Sequence, residues 1–213
     1  NVREGRQARV AEVRFDGRRA VPESTLRNYF QRPVWWNPFS WFRGRKYDAA
    51  VLEEGRFAAQ EAYVDMGFLD AGVGEPVVTK NEDGNLVVTV SIEEGIRFRY
   101  GRILLEGVTL FPESAIRSVM TAKTGEIAGR KTTDYTSQAI RDYFGSRGYI
   151  STMVRVIQAP DLKAGTVDVT FAVREGELTK IRNIRIAGNL RTKDKVIRRE
   201  LDVEPGDIFN EVK

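Results

Sequence analysis

A pair of adjacent carboxylates, Glu93 and Glu94, is the arrangement in this chain that comes nearest to acid-base chemistry. A hydrolase would need two such groups facing one substrate, but neighbours along a predicted strand point to opposite faces. The chain has no histidine and no cysteine, which removes the commonest general base, thiolate nucleophiles and sulfur metal ligands. Catalysis would rest on carboxylates or lysine, and metal binding on hard oxygen sites. We expect no enzyme, no metal site and no cofactor.

The segment GEIAGRKT, at 125–132, is similar to a phosphate-binding loop. Such a loop needs four residues between its glycines and a lysine directly after the second. Here three residues separate Gly125 from Gly129, Arg130 precedes the lysine, and no strand is predicted before the segment. We therefore do not interpret it as a nucleotide site.

Nucleic-acid binding is the competing class of function, because the pI is near 9.4. The charge is dispersed, however: residues 8–95 hold 11 basic and 14 acidic residues, and residues 96–176 hold 12 and 8. No glycine-rich binding loop and no aromatic strand platform accompany it. We expect no nucleic-acid partner.

The chain repeats itself every 80 to 90 residues, as its glycines reveal. Short phrases ending at Gly17, Gly107 and Gly188 are 90 and 81 residues apart, and MGF, at 66–68, returns as RGY, at 147–149. Apolar positions coincide in the same register, so the repeat is a structural one. We predict three modules: residues 8–95, residues 96–176 and a truncated module over residues 177–213.

Each full module reads as strand, two helices and two strands. Alternating apolar residues predict a first strand, apolar residues four apart predict a short helix near Pro22 or Pro112, and longer helices follow over about 47–65 and 133–146. A hairpin ends in a strand with every second residue inward: Leu86, Val88, Val90 and Ile92, then Val167, Val169, Phe171 and Val173. The predicted fold class is α+β, with tandem β-α-α-β-β modules that each form a three-stranded mixed sheet covered by two antiparallel helices.

The segment RPVWWNPFSWFRGRKY, at 32–47, holds all three tryptophans of the chain. The first module has nine more residues than the second between the matching glycines, so this stretch is an insertion between its two helices. It is either a flap over its own helices or an exposed patch for a client, an accessory protein or lipid headgroups. Its candidate residues are Trp35, Trp36, Phe39, Trp41 and Phe42.

The order of elements, the -x-G, RGY and EG phrases and the WW insertion together resemble the polypeptide-transport-associated (POTRA) domains. The segment GRFAAQEAYVDMGF, at 55–68, looks like the third such domain of BamA-type outer-membrane assembly proteins, and the stretch IRNIRIAGNLRTKDKVIRRELDVEPGDIF, at 181–209, looks like the start of the fifth. The resemblance covers essentially the whole chain. POTRA regions of autotransporter-assembly or two-partner-secretion transporters are alternatives.

That resemblance implies a scaffold on the periplasmic face of the bacterial outer membrane, without catalysis. Its expected partners are unfolded outer-membrane proteins, accessory lipoproteins and the protein's own C-terminal membrane β-barrel, with the chain itself a soluble fragment. No apolar run approaches the roughly 20 residues of a spanning helix. The short final helix carries one accessory-protein candidate, Arg198. The other is Glu204, which is adjacent to Pro205, the position where the family has an acidic residue before the glycine.

Clients would add a strand to an open sheet edge, which the family pattern places at the second strand of each module. In the second module this strand is STMVRVIQ, at 151–158, without glycine or proline. In the first module Gly72, Gly74 and Pro76 shorten any ladder and guard the edge. The candidate client-binding residues are Met153, Val154, Arg155, Val156, Ile157, Val77 and Val78.

Overall fold

Strand pairing in this protein follows the predicted repeat. A computed structural model describes residues 9–30, 45–46, 49–189, 191 and 193–210. The chain divides into unit 1, residues 1–98 with 127–130, and unit 2, residues 99–126 with 131–213. The α+β class with mixed sheets is confirmed.

Within the residues that the structure describes, unit 1 contains five strands and two helices. These are β1 (Arg9–Asp16), α1 (Glu23–Tyr29), β2 (Arg45–Lys46), α2 (Ala49–Asp65), β3 (Gly72–Val73), β4 (Val77–Lys80) and β5 (Leu86–Glu93). The sheet order is β2-β1-β5-β3, and β4 also pairs with β5. Strand β1 is parallel to β5, and the other pairs are antiparallel. The expected three-stranded sheet is wrong in number here, because the second strand is divided and the end of the insertion adds β2.

The described elements of unit 2 are β6 (Arg99–Glu106), α3 (Glu113–Arg117), α4 (Arg130–Gly145, in this unit from Lys131), β7 (Met153–Asp161), β8 (Thr166–Arg174) and α5 (Asp194–Arg199). Its three-stranded sheet has the order β6-β8-β7, with β6 parallel and β7 antiparallel to β8. This is the predicted mixed sheet.

The cores form where the alternation of apolar residues predicts them. All eight predicted inward positions of β5 and β8 are buried. Leu26 and Ile116 of the short helices and Tyr63 and Phe144 of the long helices are fully buried. Val87 is also buried, although its place between two inward residues predicts exposure. Pro22 and Pro112, which are predicted to lie in the first turn of the short helices, are instead their N-cap residues.

The third module forms less structure than the first two. Residues 181–188 contain no strand, although Ile184 and Ile186 alternate as the first strands of the other modules do. Lys180 and Ile208 form an isolated bridge, and the backbone N–H of Thr179 donates to the carbonyl of Gly148 at 2.8 Å. These backbone contacts of the segment all lie within unit 2.

Candidate functional site

Strand β7 forms a long edge of the unit 2 sheet. All nine of its residues pair with β8, from Met153 opposite Arg174 to Asp161 opposite Thr166. Among the described residues, no strand pairs with the other side of β7. An unpaired side of a strand presents backbone N–H and C=O groups to any extended chain that reaches it.

The direction of these backbone groups follows from the pairing of β8. The N–H of Arg99 donates to the carbonyl of Gly165 at 3.0 Å, so Gly165 faces β6. Because direction alternates along a strand, Thr166 and every second residue after it face β7 instead. The β7 residues opposite Thr166 and its alternates direct their backbone N–H and C=O groups inward, to β8. The β7 residues between them direct these groups outward, away from the sheet. The outward set is Val154, Val156, Gln158 and Pro160.

Pro160 supports this assignment independently. Proline has no N–H, and it is tolerated in an edge strand where that position faces away from the neighbouring strand. The corresponding position in unit 1 agrees as well: the N–H of Gly74, which matches the inward residue Arg155, donates to the carbonyl of Ser91 at 2.8 Å.

The side chains of β7 divide between the two faces of the sheet. Val154 and Val156 lie opposite the buried Val173 and Phe171, so they share the helix-covered face, where both are half-buried. Met153 and Ile157 lie on the open face, 58% and 44% exposed, on either side of the exposed Arg155. The structure therefore brings the five predicted residues of this strand into one edge.

The opposite edge of the unit 2 sheet, at β6, is partly occupied. Tyr100 exchanges two backbone hydrogen bonds with the segment before α4, to Glu126 at 2.8 Å and from Gly125 at 2.7 Å. The guanidinium group of Arg117 donates to the carbonyl of Ile103 at 3.2 and 3.3 Å. The N–H and C=O of Tyr100 and the C=O of Ile103 are therefore already hydrogen-bonded and not available to an added strand.

The second strand of unit 1 contains a bulge. Val73 pairs with Ile92 and Val77 pairs with Thr89, while Gly74 bonds to Ser91. Glu75 and Pro76 are therefore two residues opposite one, Val90, which is the arrangement of a β-bulge. Val77 is 59% exposed, whereas Val78 packs against the core.

The edge of β1 in unit 1 is covered at one end. Strand β2 pairs antiparallel with it, with Arg9 opposite Lys46 and Val10 opposite Arg45. The sequence predicts a loop over the whole insertion, whereas Arg45 and Lys46 are part of the sheet. The five aromatic residues of the insertion, Trp35 to Phe42, lie outside the described residues.

A carboxylate clamp holds the same turn in both units, and the sequence interpretation missed it. Glu94 accepts hydrogen bonds from the backbone N–H groups of Arg19 and Ala20 at 2.7 and 2.9 Å, and from the Tyr63 hydroxyl at 2.9 Å. Glu175 accepts from the N–H groups of Thr109 and Leu110 at 2.8 and 2.9 Å. Both glutamates belong to the EG phrase that ends each module, and this phrase is the signal by which the sequence could have revealed them.

These hydrogen bonds control the ionisation of both carboxylates. Burial raises the pKa of Glu94, but the donors from Arg19, Ala20 and Tyr63 outweigh it and hold the pKa below its ordinary value of 4.5. Burial likewise raises the pKa of Glu175, and the backbone and hydroxyl donors of the 109–110 turn bring it below the same value. The clamp therefore stabilises the fold, and Glu94 is not positioned as a catalytic acid.

The docking candidates of the third module lie on and after α5. Arg198 donates to the carbonyl of Ile184 at 2.9 Å, which is the bond that Arg117 makes to Ile103 in the second module. Glu204 is exposed, and its backbone N–H donates to Asp207 at 2.7 Å. Arg198 therefore has a structural partner of its own.

The part of the chain that the structure describes contains no group of three or more His, Cys, Asp or Glu side chains that could hold a metal ion. It also contains no helix with the length and apolar character needed to cross a membrane.

Comparisons with known proteins agree on one family. Residues 8–95, 98–176 and 179–213 match the family described as "POTRA: Surface antigen variable number repeat". The outer membrane protein assembly factor BamA of Nitratidesulfovibrio vulgaris is 26% identical over 100% of this chain and 27% of its own length. BamA of Neisseria meningitidis serogroup B is 25% identical over 94% of this chain and 25% of its own length. The chain thus spans about a quarter of the length of these relatives.

A solved structure shares the fold. It is the POTRA3-5 fragment of BamA from Haemophilus influenzae, which is 22% identical, with a TM-score of 0.68, and covers 96% of this chain and 81% of its own. Because the family match extends over all three repeats, this chain belongs to the POTRA family.

Proposed function

We propose that this chain is a periplasmic scaffold region of an outer-membrane β-barrel assembly protein. In this role it binds unfolded outer-membrane proteins by adding their strands to β7 and catalyses no reaction. The resemblance to BamA relatives supports the setting. The observation that carries the mechanism is the edge of β7, where three consecutive outward residues, Val154, Val156 and Gln158, offer both backbone groups.

A proline at Val156 tests strand addition. It removes one outward N–H and leaves the inward ladder to β8 in place, so client binding should fall while the fold persists. Val156→Thr retains the N–H and serves as the matched control. The measurement uses a photo-crosslinker at Met153, whose side chain is exposed, with a denatured outer-membrane β-barrel protein diluted into the purified chain.

A second crosslinker at Leu104, which is 42% exposed on β6, controls for unspecific contact. We expect crosslinks at Met153, few at Leu104, and loss at Met153 only in Val156→Pro. Equal crosslinking of the two variants would contradict strand addition at β7.

We further propose that the third module docks an accessory lipoprotein of the assembly complex through Arg198 and Glu204. Residues 180–199 contain eight basic residues and one acidic residue, Asp194, so the part of the partner that meets Arg198 should be acidic. Arg198→Ala should weaken capture of the lipoprotein more than Arg199→Ala does, although both variants remove one positive charge from the same helix. Because Arg198 also bonds to Ile184, the thermal stability of both variants must be measured. Equal capture by both variants would remove Arg198 from the interface.

A further inference from the structure

The outward-facing backbone N–H groups of β7 that an added strand could use are limited at both ends of the strand. Beyond Gln158 the next outward residue is Pro160, which offers a carbonyl but no N–H. At the other end, the N–H of Thr152 already donates to the carbonyl of Tyr149 at 3.2 Å. Outward N–H donors of this strand are thus confined to Val154, Val156 and Gln158, which limits a full ladder to a segment of about five to seven residues.

The centre of this window carries the positive charge of Arg155, and a second one, Arg174, lies opposite Met153 on the same face and donates to its sulfur at 2.9 Å. Arg155 lies on the open face between Met153 and Ile157, and its partner on β8 is Ala172. The ion pairs found among the described residues do not include Arg155. Arg102, on the same face, is by contrast paired with Asp168 at 2.7 Å. Glu106 shares the cross-strand row of Arg155 but lies two strands away, on β6.

The residues on either side of Arg155, Val154 and Val156, favour apolar residues in the strand that is added. Val154 and Val156 lie on the helix-covered face, half-buried, so strand residues added opposite them would bury apolar surface. In an antiparallel ladder, a residue between two hydrogen-bonded pairs forms a pair whose side chains approach more closely. The client residue opposite Arg155 would occupy such a pair, where opposite charges attract.

We propose, on the basis of the strand-addition function above, that β7 selects a short extended segment with a carboxylate opposite Arg155 and an apolar residue on each side of it. Pro160 sets the end of the ladder. The recognised class is therefore an acidic-centred, alternating peptide strand and not any extended chain.

The probe is the blocked peptide Thr-Thr-Val-Glu-Val-Thr-Thr, whose symmetric pattern has the same order in both strand directions. Peptides with Gln or Lys at the centre are its controls. Binding to the full chain is measured from the NMR shifts of the Val154, Val156 and Gln158 amides. We expect the Glu peptide to bind about threefold more tightly than the Gln peptide, with the Lys peptide weakest.

Two variants separate charge from length. Arg155→Glu should reverse the order of the Glu and Lys peptides, whereas Arg102→Glu, on β6, should leave it unchanged. Pro160→Thr supplies an extra outward N–H, so a peptide with two more threonines at each end should gain about threefold in affinity on this variant and not on the native chain.

The outcomes distinguish this inference from the function on which it rests. If none of the peptides shifts the β7 amides, strand addition at β7 itself fails, and the selection falls with it. If the peptides bind at β7 with equal affinity, or if Arg155→Glu leaves their order unchanged, the selection is overturned and strand addition stands. If the longer peptide gains nothing on Pro160→Thr, the limit set by Pro160 is wrong.

Discussion

The second strands of the two full modules occupy the same place in the repeat and present different edges. In unit 2, β7 runs without interruption for nine residues, with outward groups at every second position. In unit 1, the bulge at Glu75 and Pro76 separates β3 from β4. One inserted residue shifts the outward positions by one, because direction alternates along a strand. A module can therefore keep its fold and still change what its edge can bind.

What the modules share is the turn that closes each of them. Gly17 and Gly107 have φ values of 88° and 76°, and an added Cβ would lie 2.2 Å from the Ile92 carbonyl oxygen or 2.1 Å from that of Val173. Glu94 and Glu175 hold the residues that follow. Shared features of this kind belong to the fold, and the differing edges are where the two modules can differ in function.

The largest expected effect tests the shared turn. Gly107→Ala should destabilise unit 2 by about 3 kcal/mol or more, because a left-handed residue acquires a Cβ that collides with a backbone oxygen. Gly188→Ala is the matched control: φ is 82°, but nothing lies within 4 Å of an added Cβ. It should cost about 1 kcal/mol. Urea unfolding followed by circular dichroism measures both, and equal losses would contradict a role for the close contact.

The next largest effect compares the loss of an inward backbone N–H of β7 with the loss of an outward one. Ile157→Pro removes an N–H that bonds to β8, so unit 2 should lose about 2–3 kcal/mol. Val156→Pro removes an outward N–H and should cost about 1 kcal/mol or less. Hydrogen exchange of the β8 amides compares the two variants. A larger loss in Val156→Pro would reverse the assignment of outward groups.

The sequence predicted the repeat, the class of fold and the buried positions of β5 and β8, because alternation and spacing are local properties of the chain. It did not predict β2, since two residues carry no periodic signal, nor the clamp, since Glu94 and Arg19 are 75 residues apart. Gly72, Gly74 and Pro76 correctly indicated an interrupted strand. That the extra residue at Glu75 and Pro76 forms a bulge, after which pairing resumes at Val77, depends on the register with β5.

A smaller effect concerns the carboxylate clamp. Glu94→Gln should destabilise unit 1 by about 1 kcal/mol, because the charge-assisted hydrogen bonds to Arg19 and Ala20 weaken in a partly exposed site. Glu175→Gln should do the same in unit 2. Glu94 has the additional Tyr63 donor, so Tyr63→Phe should reduce the effect of Glu94→Gln in a double-mutant cycle. Additive effects would exclude coupling between the two side chains.

The same carboxylates predict acid sensitivity. The folded-state pKa values of both carboxylates are lowered from 4.5. They therefore stabilise the fold fully above about pH 4.5, and this stabilisation is lost as the pH falls below 4.5 towards the folded-state pKa. The double variant Glu94→Gln with Glu175→Gln should show a flatter decrease of melting temperature between about pH 5 and pH 3 than the native chain. Parallel curves would assign the acid loss to other carboxylates, such as Asp168, whose pKa the Arg102 donors lower.

The smallest expected effect comes from a deletion that would give the second strand of unit 1 the continuous edge of β7. Deleting Pro76 removes the extra residue, so β3 and β4 should join in the register of β7, with Val73, Glu75 and the former Val78 facing outward at every second position. A crosslinker at Val77, which is 59% exposed, should then capture an unfolded β-barrel client about threefold more often. Pro76→Ala keeps the bulge and is the control. Because the deletion changes backbone register and not composition, a gain in the deletion alone would show that continuity of the edge, rather than its side chains, decides which module can receive a strand. Equal capture by both variants would show the opposite.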